Sequence, residues 1–342
     1  MSTTPTTTPL SLGATKPTDE LFLDEDLQIA PPPSKPAPRL VPPAPPAVEA
    51  IAAVVESVKV AKAIAIPRKD ANGFVTLNGF FKVHEGTYKI LRRNIEKKKN
   101  TLILGPTGYG KTELVHNMAE HLGVPITIFD MGTMTDPIMG LVGTNTIQVE
   151  AGVTVSKFIK SRFSAAIQRP GIILLDELSR ASLQANNLLF PCLDFRRELS
   201  MEYAFNDAEP IKLHPECVIF ATANIGSQYS GTNKMDRALL DRFILIEMDT
   251  LATSQIKEVI KYTYPGVSND DISTMVSIYE KINKSNEDFT ISFGLSFRHL
   301  REIASFVEDG FTIYDAYYTL CKGLAGKEGL KSIESILSTH KK

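Results

Sequence analysis

A short apolar strand runs directly into a glycine-rich loop at residues 101–112, and this feature constrains the fold most. The segment reads Thr-Leu-Ile-Leu-Gly-Pro-Thr-Gly-Tyr-Gly-Lys-Thr and matches the phosphate-binding pattern G-x-x-x-x-G-K-T. Glycines let such a loop turn tightly and aim its backbone N–H groups at phosphate oxygens. The residues that follow have helical character, so a phosphate would lie at a helix N-terminus, where the helix dipole favours an anion. The sequence therefore predicts a nucleoside-triphosphate site; the alternative is a glycine-rich turn without a ligand.

The sequence of the loop predicts which of its residues contact the nucleotide and the metal ion. Lys111 would contact the β and γ phosphates, and the Thr112 hydroxyl would ligate Mg²⁺. Tyr109 stands where a small or polar residue is expected, and we expect its ring to leave the backbone cradle intact. The residues predicted to bind the nucleotide here are Gly105, Pro106, Thr107, Gly108, Tyr109, Gly110, Lys111 and Thr112.

A second motif lies at residues 172–177, which read Ile-Ile-Leu-Leu-Asp-Glu. Four apolar residues predict a buried parallel strand, and ligands of open α/β sheets bind at the carboxyl ends of such strands. Asp176 would hold Mg²⁺ through water, and Glu177 would orient and polarise the attacking water. Taken alone, the motif also fits an ordinary strand end followed by a solvated acidic turn. After a phosphate-binding loop, it predicts nucleotide hydrolysis.

Composition narrows the class of protein. The chain has 342 residues and a formal net charge of −2, so it lacks the global basic field typical of nucleic-acid binders. Its three cysteines, Cys192, Cys217 and Cys321, have no metal-ligand spacing and cannot all pair, which predicts a reducing, cytoplasmic location. We also expect no membrane association, because no apolar run has transmembrane length and the amino terminus does not resemble a secretory signal.

The amino-terminal part differs in composition from the rest. Residues 1–46 are rich in Thr, Pro and Ala, and 13 of the 21 prolines precede residue 68, which predicts disorder. Residues 19–29 mix acidic and large apolar side chains, as a short docking motif or a chance cluster would. Residues 47–66 predict an amphipathic helix weakened by β-branched residues. We therefore assign residues 1–66 to a tail.

The remainder predicts an α/β ATPase core at 67–250 and a helical lid domain at 251–342. Strands alternating with helices indicate a parallel sheet with right-handed crossovers. The predicted strands are 101–104, 126–129, 172–175, 218–221 and 243–248; the core helices are 84–98, 112–122, 158–167 and 182–193. Helical patterns without a strand follow at 253–262, 270–284, 296–308 and 312–323.

These parts, in this order, resemble the AAA+ ATPases over roughly residues 80–325. The closer resemblance is to the MoxR branch and the related CobS-type ATPase subunit of cobalt chelatases. Asn224 ends a strand after Glu177, where the family has the sensor 1 residue that helps position the lytic water. The run Leu-Leu-Asp-Arg-Phe at 239–243 matches a family motif, which implies that Arg242 reaches the γ-phosphate of a neighbouring subunit. Ser-Phe-Arg at 296–298 resembles sensor 2, which implies that Arg298 contacts the nucleotide from the lid.

Two further segments predict β-hairpins. The first resembles the insert in helix 2 of this clade and comprises the β-prone runs 144–149 and 153–155 around a Glu-Ala-Gly turn. The second would pair 199–205 with 210–213 around Asn-Asp. Such hairpins can press on a substrate in the pore of a ring; the alternative for each is a surface hairpin without a function.

Two arginines leave alternatives open, and the resemblance implies a position for a third. Arg237 is either an accessory contact or a solvated helix residue, and Arg298 is either the sensor or part of an ordinary lid salt bridge. Arg180 follows the Asp-Glu pair at a position that lies near subunit interfaces in relatives.

The resemblance implies ATP and Mg²⁺ as ligands and a homo-oligomeric ring, a hexamer in the family. The leading hypothesis is remodelling of a protein client, together with a von Willebrand factor A-type partner. A nucleic-acid motor is the second class; near-neutral charge and the absence of Lys and Arg between 144 and 155 count against it. The third, a nucleotide-gated scaffold without hydrolysis, conflicts with the intact Glu177, Asn224 and Arg242.

Overall fold

The computed structural model describes residues 67–71, 73–79, 81–150, 153–202, 209–224, 235–248, 251–288, 290–325 and 327–338. The predicted tail at 1–66, with its docking motif and its helix at 47–66, lies outside these residues. None of the helices in the described ranges has the length and apolarity needed to cross a membrane.

Strands and helices alternate through the first two thirds of the described chain, and helices alone follow. The strands are β1 (Phe74–Leu77), β2 (Phe81–His84), β3 (Thr101–Gly105), β4 (Ile126–Asp130), β5 (Gly143–Glu150), β6 (Val153–Lys160), β7 (Gly171–Asp176), β8 (Glu198–Leu199), β9 (Ile211–Lys212), β10 (Cys217–Asn224) and β11 (Ile244–Glu247). The helices are α1 (Glu85–Glu96), α2 (Lys111–His121), α3 (Arg162–Ala166), α4 (Leu183–Leu193), α5 (Arg237–Leu240), α6 (Thr253–Thr263), α7 (Asn269–Glu287), α8 (Phe297–Glu308), α9 (Ile313–Leu324) and α10 (Lys327–Ser338).

Five strands form one parallel sheet in the order β11-β3-β10-β7-β4, which confirms the predicted α/β class. Parallel strands require crossover connections, so their carboxyl ends meet at one edge of the sheet. The register decides which residues meet there. Asn224 at the end of β10 lies beside Gly105 at the end of β3, and Asp176 of β7 lies beside Asp130 of β4.

Both faces of the sheet are buried, as the continuous apolar run of β7 predicts. Side chains alternate along a strand, so Ile172 and Leu174 pack with α1, α2, β1 and β2 on one face. Ile173 and Leu175 pack on the other face with α3 and α4. The sheet is therefore the middle layer of the core and holds the strand ends rigidly.

The first predicted hairpin is present, but it is longer than expected. β5 and β6 pair antiparallel from Gly143–Lys160 to Glu150–Val153. The helix predicted at 158–167 is therefore wrong in its first part: residues 158–160 belong to β6, and α3 begins at Arg162. Pairing with β5 overrides the helical pattern at this point. Gly143 permits that pairing, since at φ +141° any Cβ would lie 2.3 Å from the carbonyl oxygen of Ile159.

The second predicted hairpin, 199–205 with 210–213, is paired over only two residues of each strand within the described part of the chain. β8 and β9 pair antiparallel, Glu198 with Lys212 and Leu199 with Ile211, and residues 203–208 between them lie outside the described residues.

Helices α6–α10 pack around a hydrophobic core of their own, which includes Ile260, Met275, Tyr279, Leu300 and Tyr317. Their presence confirms the predicted helical carboxyl-terminal region. The last helix, α10, and the hairpin β1–β2 were not predicted from the sequence. The domain boundary at 250–251 stays a prediction.

Candidate nucleotide site

A cleft of about 290 Å³ lies at the carboxyl edge of the sheet, bounded by the glycine-rich loop on one side and by the lid helices on the other. This volume is at the lower end of the ~300–1,000 Å³ typical of small-molecule sites. Its lining includes Thr107–Thr112, Asp176, Glu177, Asn224 and Arg298, so the structure brings most of the predicted site residues into one cavity.

The loop at 105–112 has the backbone that a phosphate cradle requires. Gly108 and Gly110 adopt φ +81° and +82°, the left-handed region that glycine enters without steric cost. Helix α2 begins directly after them at Lys111, so the amino end of an eleven-residue helix faces the cleft. Helix dipole and loop N–H groups therefore both favour an anion there.

Lys111 is held by three acceptors. Its Nζ donates to the carbonyl oxygens of Gly105 (3.0 Å) and Pro106 (2.7 Å) and to Oδ1 of Asn224 (2.7 Å). The residue is only 7% exposed, and burial lowers the pKa of its amine to about 8, partly offset by Asp176 and Glu177. Because Asn224 engages the same amine, the predicted sensor and the predicted phosphate lysine form one cluster.

Asp176 organises the second cluster. Its Oδ1 accepts the hydroxyl of Thr112 at 2.8 Å and also the hydroxyl of Thr222. A carboxylate beside a hydroxyl is the hard oxygen donor set that Mg²⁺ takes together with phosphate oxygens and water. Thr112 and Asp176 therefore fit the predicted magnesium site, with Thr112 as a ligand and Asp176 acting through water.

Glu177 is placed by unusual backbone geometry. Its φ is +54°, a left-handed conformation uncommon for a residue with a side chain. Its N–H donates to Oγ1 of Thr222 at 3.1 Å, which ties the strand end to β10. Its Oε2 is 2.9 Å from Nη1 of Arg180, and both side chains are partly exposed. The carboxylate thus borders the cleft while paired with a neighbouring arginine.

The lid contributes the opposite wall of the cleft. Phe297, Arg298 and Arg301 of α8 line it, and Arg301 lies 3.9 Å from Glu113 on α2. Arg298 therefore faces the cleft, at the position predicted for sensor 2. An apolar part, formed by Phe81, Met248, Leu251 and Val259, adjoins the loop and offers a surface for a nucleobase.

Arg242 is not in this cleft. Its guanidinium lies 4.6 Å above the ring of Phe190, and Nη1 donates to the carbonyl oxygen of Ala238. The structure therefore places the side chain away from the nucleotide site of its own chain. Its predicted role toward a neighbouring subunit stays a prediction.

Sequence reasoning missed Thr222 and the apolar wall. Thr222 binds both Asp176 and Glu177, and it lies two residues before Asn224 on the same strand. Residues two apart on a strand share a face, so this spacing was an available signal. Phe81 and Met248 come from distant segments whose approach to the loop no local pattern reveals.

Comparison with known proteins shows similarity over the segment that carries these residues. Residues 100–243 match the model of the AAA domain (dynein-related subfamily). An uncharacterised protein of Staphylococcus saprophyticus is 31% identical over 195 residues, which cover 57% of this chain and 69% of the relative. BssE of Thauera aromatica, named as a candidate chaperone, is 28% identical over 254 residues, 74% of this chain and 83% of that protein.

Solved structures with some likeness include a variant of RuvB from Thermotoga maritima and an ADP complex of NtrX from Brucella abortus. The RuvB variant has a TM-score of 0.44 and 17% identity over 74% of this chain and 69% of that one. NtrX has a TM-score of 0.44 and 16% identity over 65% of this chain and 48% of that one. The matched AAA domain contains the phosphate loop, Asp176 and Asn224, and the chain belongs to the AAA+ ATPase family.

Proposed function

We propose that the protein is a ring-forming ATPase that couples hydrolysis of Mg-ATP to remodelling of a protein client. The observation that carries the hydrolytic part is the convergence of Lys111, Thr112, Asp176 and Asn224 through direct hydrogen bonds at one edge of the sheet. These groups come from two strands, β7 and β10, and from helix α2. A cation, a hard-oxygen donor pair and a helix N-terminus in one place are the combination that a Mg-nucleotide site uses.

The residues divide the reaction among them. Lys111 exchanges Asn224 and the loop carbonyls for phosphate oxygens, and Asn224 is thereby released toward the attacking water. Glu177 orients that water once its carboxylate leaves Arg180. Thr112, directly, and Asp176, through water, would hold Mg²⁺, which would supply charge neutralisation on the phosphates when bound. Arg298 approaches the phosphates from the lid, and Arg242 serves the neighbouring subunit.

The hairpin β5–β6 supports the remodelling part. Ile147 is 77% and Val149 71% exposed, and Val153 opposite Glu150 is also exposed. Exposed apolar side chains on a projecting two-stranded ribbon suit contact with a polypeptide, which offers backbone hydrogen bonds and apolar side chains. The relative BssE, named as a candidate chaperone, supports the same choice. The narrower proposal is a MoxR-like or CobS-like motor that acts with a von Willebrand factor A-type partner.

A Glu177→Gln variant tests this function, because it is expected to bind ATP and not turn it over. We expect the ATP-loaded variant to form rings, measured by native mass, and to retain client protein that can be eluted with ADP. The matched control carries Ile147→Ser and Val149→Ser in addition. Rings that retain the same proteins with and without these two substitutions would contradict a client-binding hairpin.

One observation favours a second candidate, the nucleic-acid motor. Lys97, Lys98, Arg196, Arg197 and Lys212 line a shallow groove beside Phe195, whose side chain is 93% exposed. Cations around an exposed aromatic ring suit single-stranded nucleic acid. Three of these cations, however, already pair with carboxylates: Lys98 with Glu216, Arg196 with Asp194 and Lys212 with Glu198. Such pairing leaves less charge for phosphate, so this function ranks second.

The ATPase rate with added DNA at physiological salt separates the two candidates. We expect no stimulation. Submicromolar, salt-sensitive binding that is lost in a Lys97→Glu, Lys212→Glu variant would favour the nucleic-acid motor.

A further inference from the structure

Tyr109, the atypical residue of the phosphate loop, contacts the lid. Its hydroxyl lies 3.2 Å from the hydroxyl of Tyr279 on α7, which is only 3% exposed within the helical core. The two residues are 170 positions apart. The glycines on either side of Tyr109 both adopt left-handed backbone conformations, so a tight turn presents this ring to α7.

The contact continues beyond Tyr279. Asn283, one helical turn further along α7, forms a side-chain hydrogen bond with Tyr279. The same amide clamps the backbone of Leu295: Nδ2 donates to its carbonyl oxygen at 3.0 Å, and Oδ1 accepts its N–H at 2.7 Å. Leu295 directly precedes Ser296, the N-cap of α8, and α8 carries Arg298 in its first turn.

A second contact joins the same two parts. The Cα of Gly108 approaches Ser296 so closely that an added Cβ would lie 2.9 Å from the Ser296 Cβ. The same Cβ would be 3.6 Å from the Cβ of Arg298. The backbone of the phosphate loop therefore packs closely against the side chains at the amino end of α8.

We propose that Tyr109, Tyr279 and Asn283 form a hydrogen-bonded relay that positions Arg298 against the phosphate loop, with Tyr109 as the positioning residue on the loop side. The inference rests on the proposed function for its effect on ATP. A displacement of the loop by phosphate moves the Tyr109 hydroxyl, and the relay passes that movement to the start of α8. The burial that surrounds Tyr279 also raises the pKa of its hydroxyl, so the group stays protonated and either tyrosine can donate in the bond.

Removal of single hydroxyls tests the relay in the full chain. Tyr109→Phe, Tyr279→Phe and the double variant keep the aromatic side chains and remove one or both of the hydroxyl groups that form the hydrogen bond. A neutral hydrogen bond contributes about 0.5–1.5 kcal/mol, so each variant should speed amide hydrogen exchange at residues 296–299 about 2- to 12-fold. The double variant should match Tyr279→Phe, because that substitution already removes the bonds to both Tyr109 and Asn283. Tyr318→Phe, on a lid tyrosine stacked with Tyr314, is the control and should change nothing.

The exchange rates are measured without nucleotide, so this test of the relay does not depend on whether the protein hydrolyses ATP. Affinity for a fluorescent ATP analogue supplies the second readout. In the otherwise wild-type protein, Tyr279→Phe should weaken the affinity for the analogue by the same 2- to 12-fold. In a protein that also carries Arg298→Ala, Tyr279→Phe should leave this affinity unchanged. Unchanged exchange in both single variants, or a double variant equal to the product of the singles, would overturn the relay. A relay confirmed by exchange in a protein without ATPase activity would instead disprove the proposed function.

Discussion

The nucleotide cleft and the β5–β6 hairpin are built in opposite ways. In the cleft a charged amine is almost fully buried, and all three of its hydrogen bonds go to acceptors of the same chain. On the hairpin, large apolar side chains such as Ile147 and Val149 face solvent, and each strand pairs only with the other. The cleft is preorganised for a small anion. The hairpin keeps apolar side chains in contact with water, and a partner that buried them would stabilise this surface.

This difference predicts two kinds of loss. Substitutions in the cleft should abolish ATP binding or hydrolysis, whereas substitutions on the hairpin should uncouple hydrolysis from the client. Burial of a polar group without its partner is costly, so the cleft tolerates little change. Two-stranded ribbons contribute little to stability by themselves, so the hairpin tolerates much. Four predictions test this contrast, in order of decreasing expected effect.

The largest effect is expected inside the cleft, from Lys111 and Glu177. Lys111→Ala should abolish ATP binding, because it removes the only cation buried at the loop among the described residues. Glu177→Gln should preserve binding and lower turnover about 10²- to 10⁴-fold, the usual contribution of a general base. Titration with a fluorescent nucleotide and a phosphate-release assay measure the two quantities. Equal ATP affinity in wild type and Lys111→Ala protein would refute the assignment of the loop.

Arg242 should give the next largest effect, although it lies outside the cleft. Arg242→Ala should bind ATP normally and hydrolyse it about 10³-fold more slowly or worse, as loss of an arginine finger does. Mixing this variant with Lys111→Ala protein should restore part of the rate, since a ring then contains complete sites between unlike subunits. Mixed rings, confirmed by native mass, that show no recovery at any ratio would place the function of Arg242 within its own chain.

Substitutions on the β5–β6 hairpin should abolish the response of the ATPase to a client and leave its basal activity intact. Ile147→Ser with Val149→Ser should leave basal ATPase activity within about twofold and the free energy of unfolding within about 0.5 kcal/mol per site, the range for exposed positions. Client-stimulated turnover should disappear. The contrasting variant is Leu174→Ser in the buried strand β7, which should lower stability by several kcal/mol. Similar melting temperatures for the two variants would erase the distinction between the regions.

The smallest effect concerns pH and the amino end of α8. Nδ1 of His299 accepts the N–H of Ser296 at 3.1 Å, and burial, with Arg298 second, lowers the pKa of His299 below 6.5. The unfolded chain therefore binds the proton more readily, so this contribution to stability is present above pH 6.5 and is lost as pH falls through the lowered value. Below pH 6.5 we expect a drop in Tm of about 2–4 °C attributable to this cap. The drop should be smaller in His299→Gln; an identical pH profile in that variant would assign the effect to other groups.

Local patterns predicted much of this site, and their limits are physical. The phosphate loop and the Asp-Glu strand could be predicted because each role is encoded within a few consecutive residues. The helix at 158–160 was wrong because strand pairing with residues 143–145 is a long-range interaction that a helical pattern cannot register. The partner of Tyr109 was unforeseeable for the same reason, since the loop and Tyr279 on α7 lie 170 residues apart in the sequence. Thr222 is different, because its spacing from Asn224 carried usable information.

The hairpin β1–β2, which precedes the phosphate loop, has a consequence for modularity. Phe81 at the start of β2 and Arg301 on α8 both line the cleft, so the walls of the nucleotide site extend well beyond the matched segment 100–243 on each side. A protein engineer who excised that segment would keep the phosphate loop and lose both the apolar wall and the lid. The unit that can be transplanted, truncated or recombined without opening the cleft is therefore the whole stretch from β1 to α8, and exchange between relatives should succeed only at boundaries outside it.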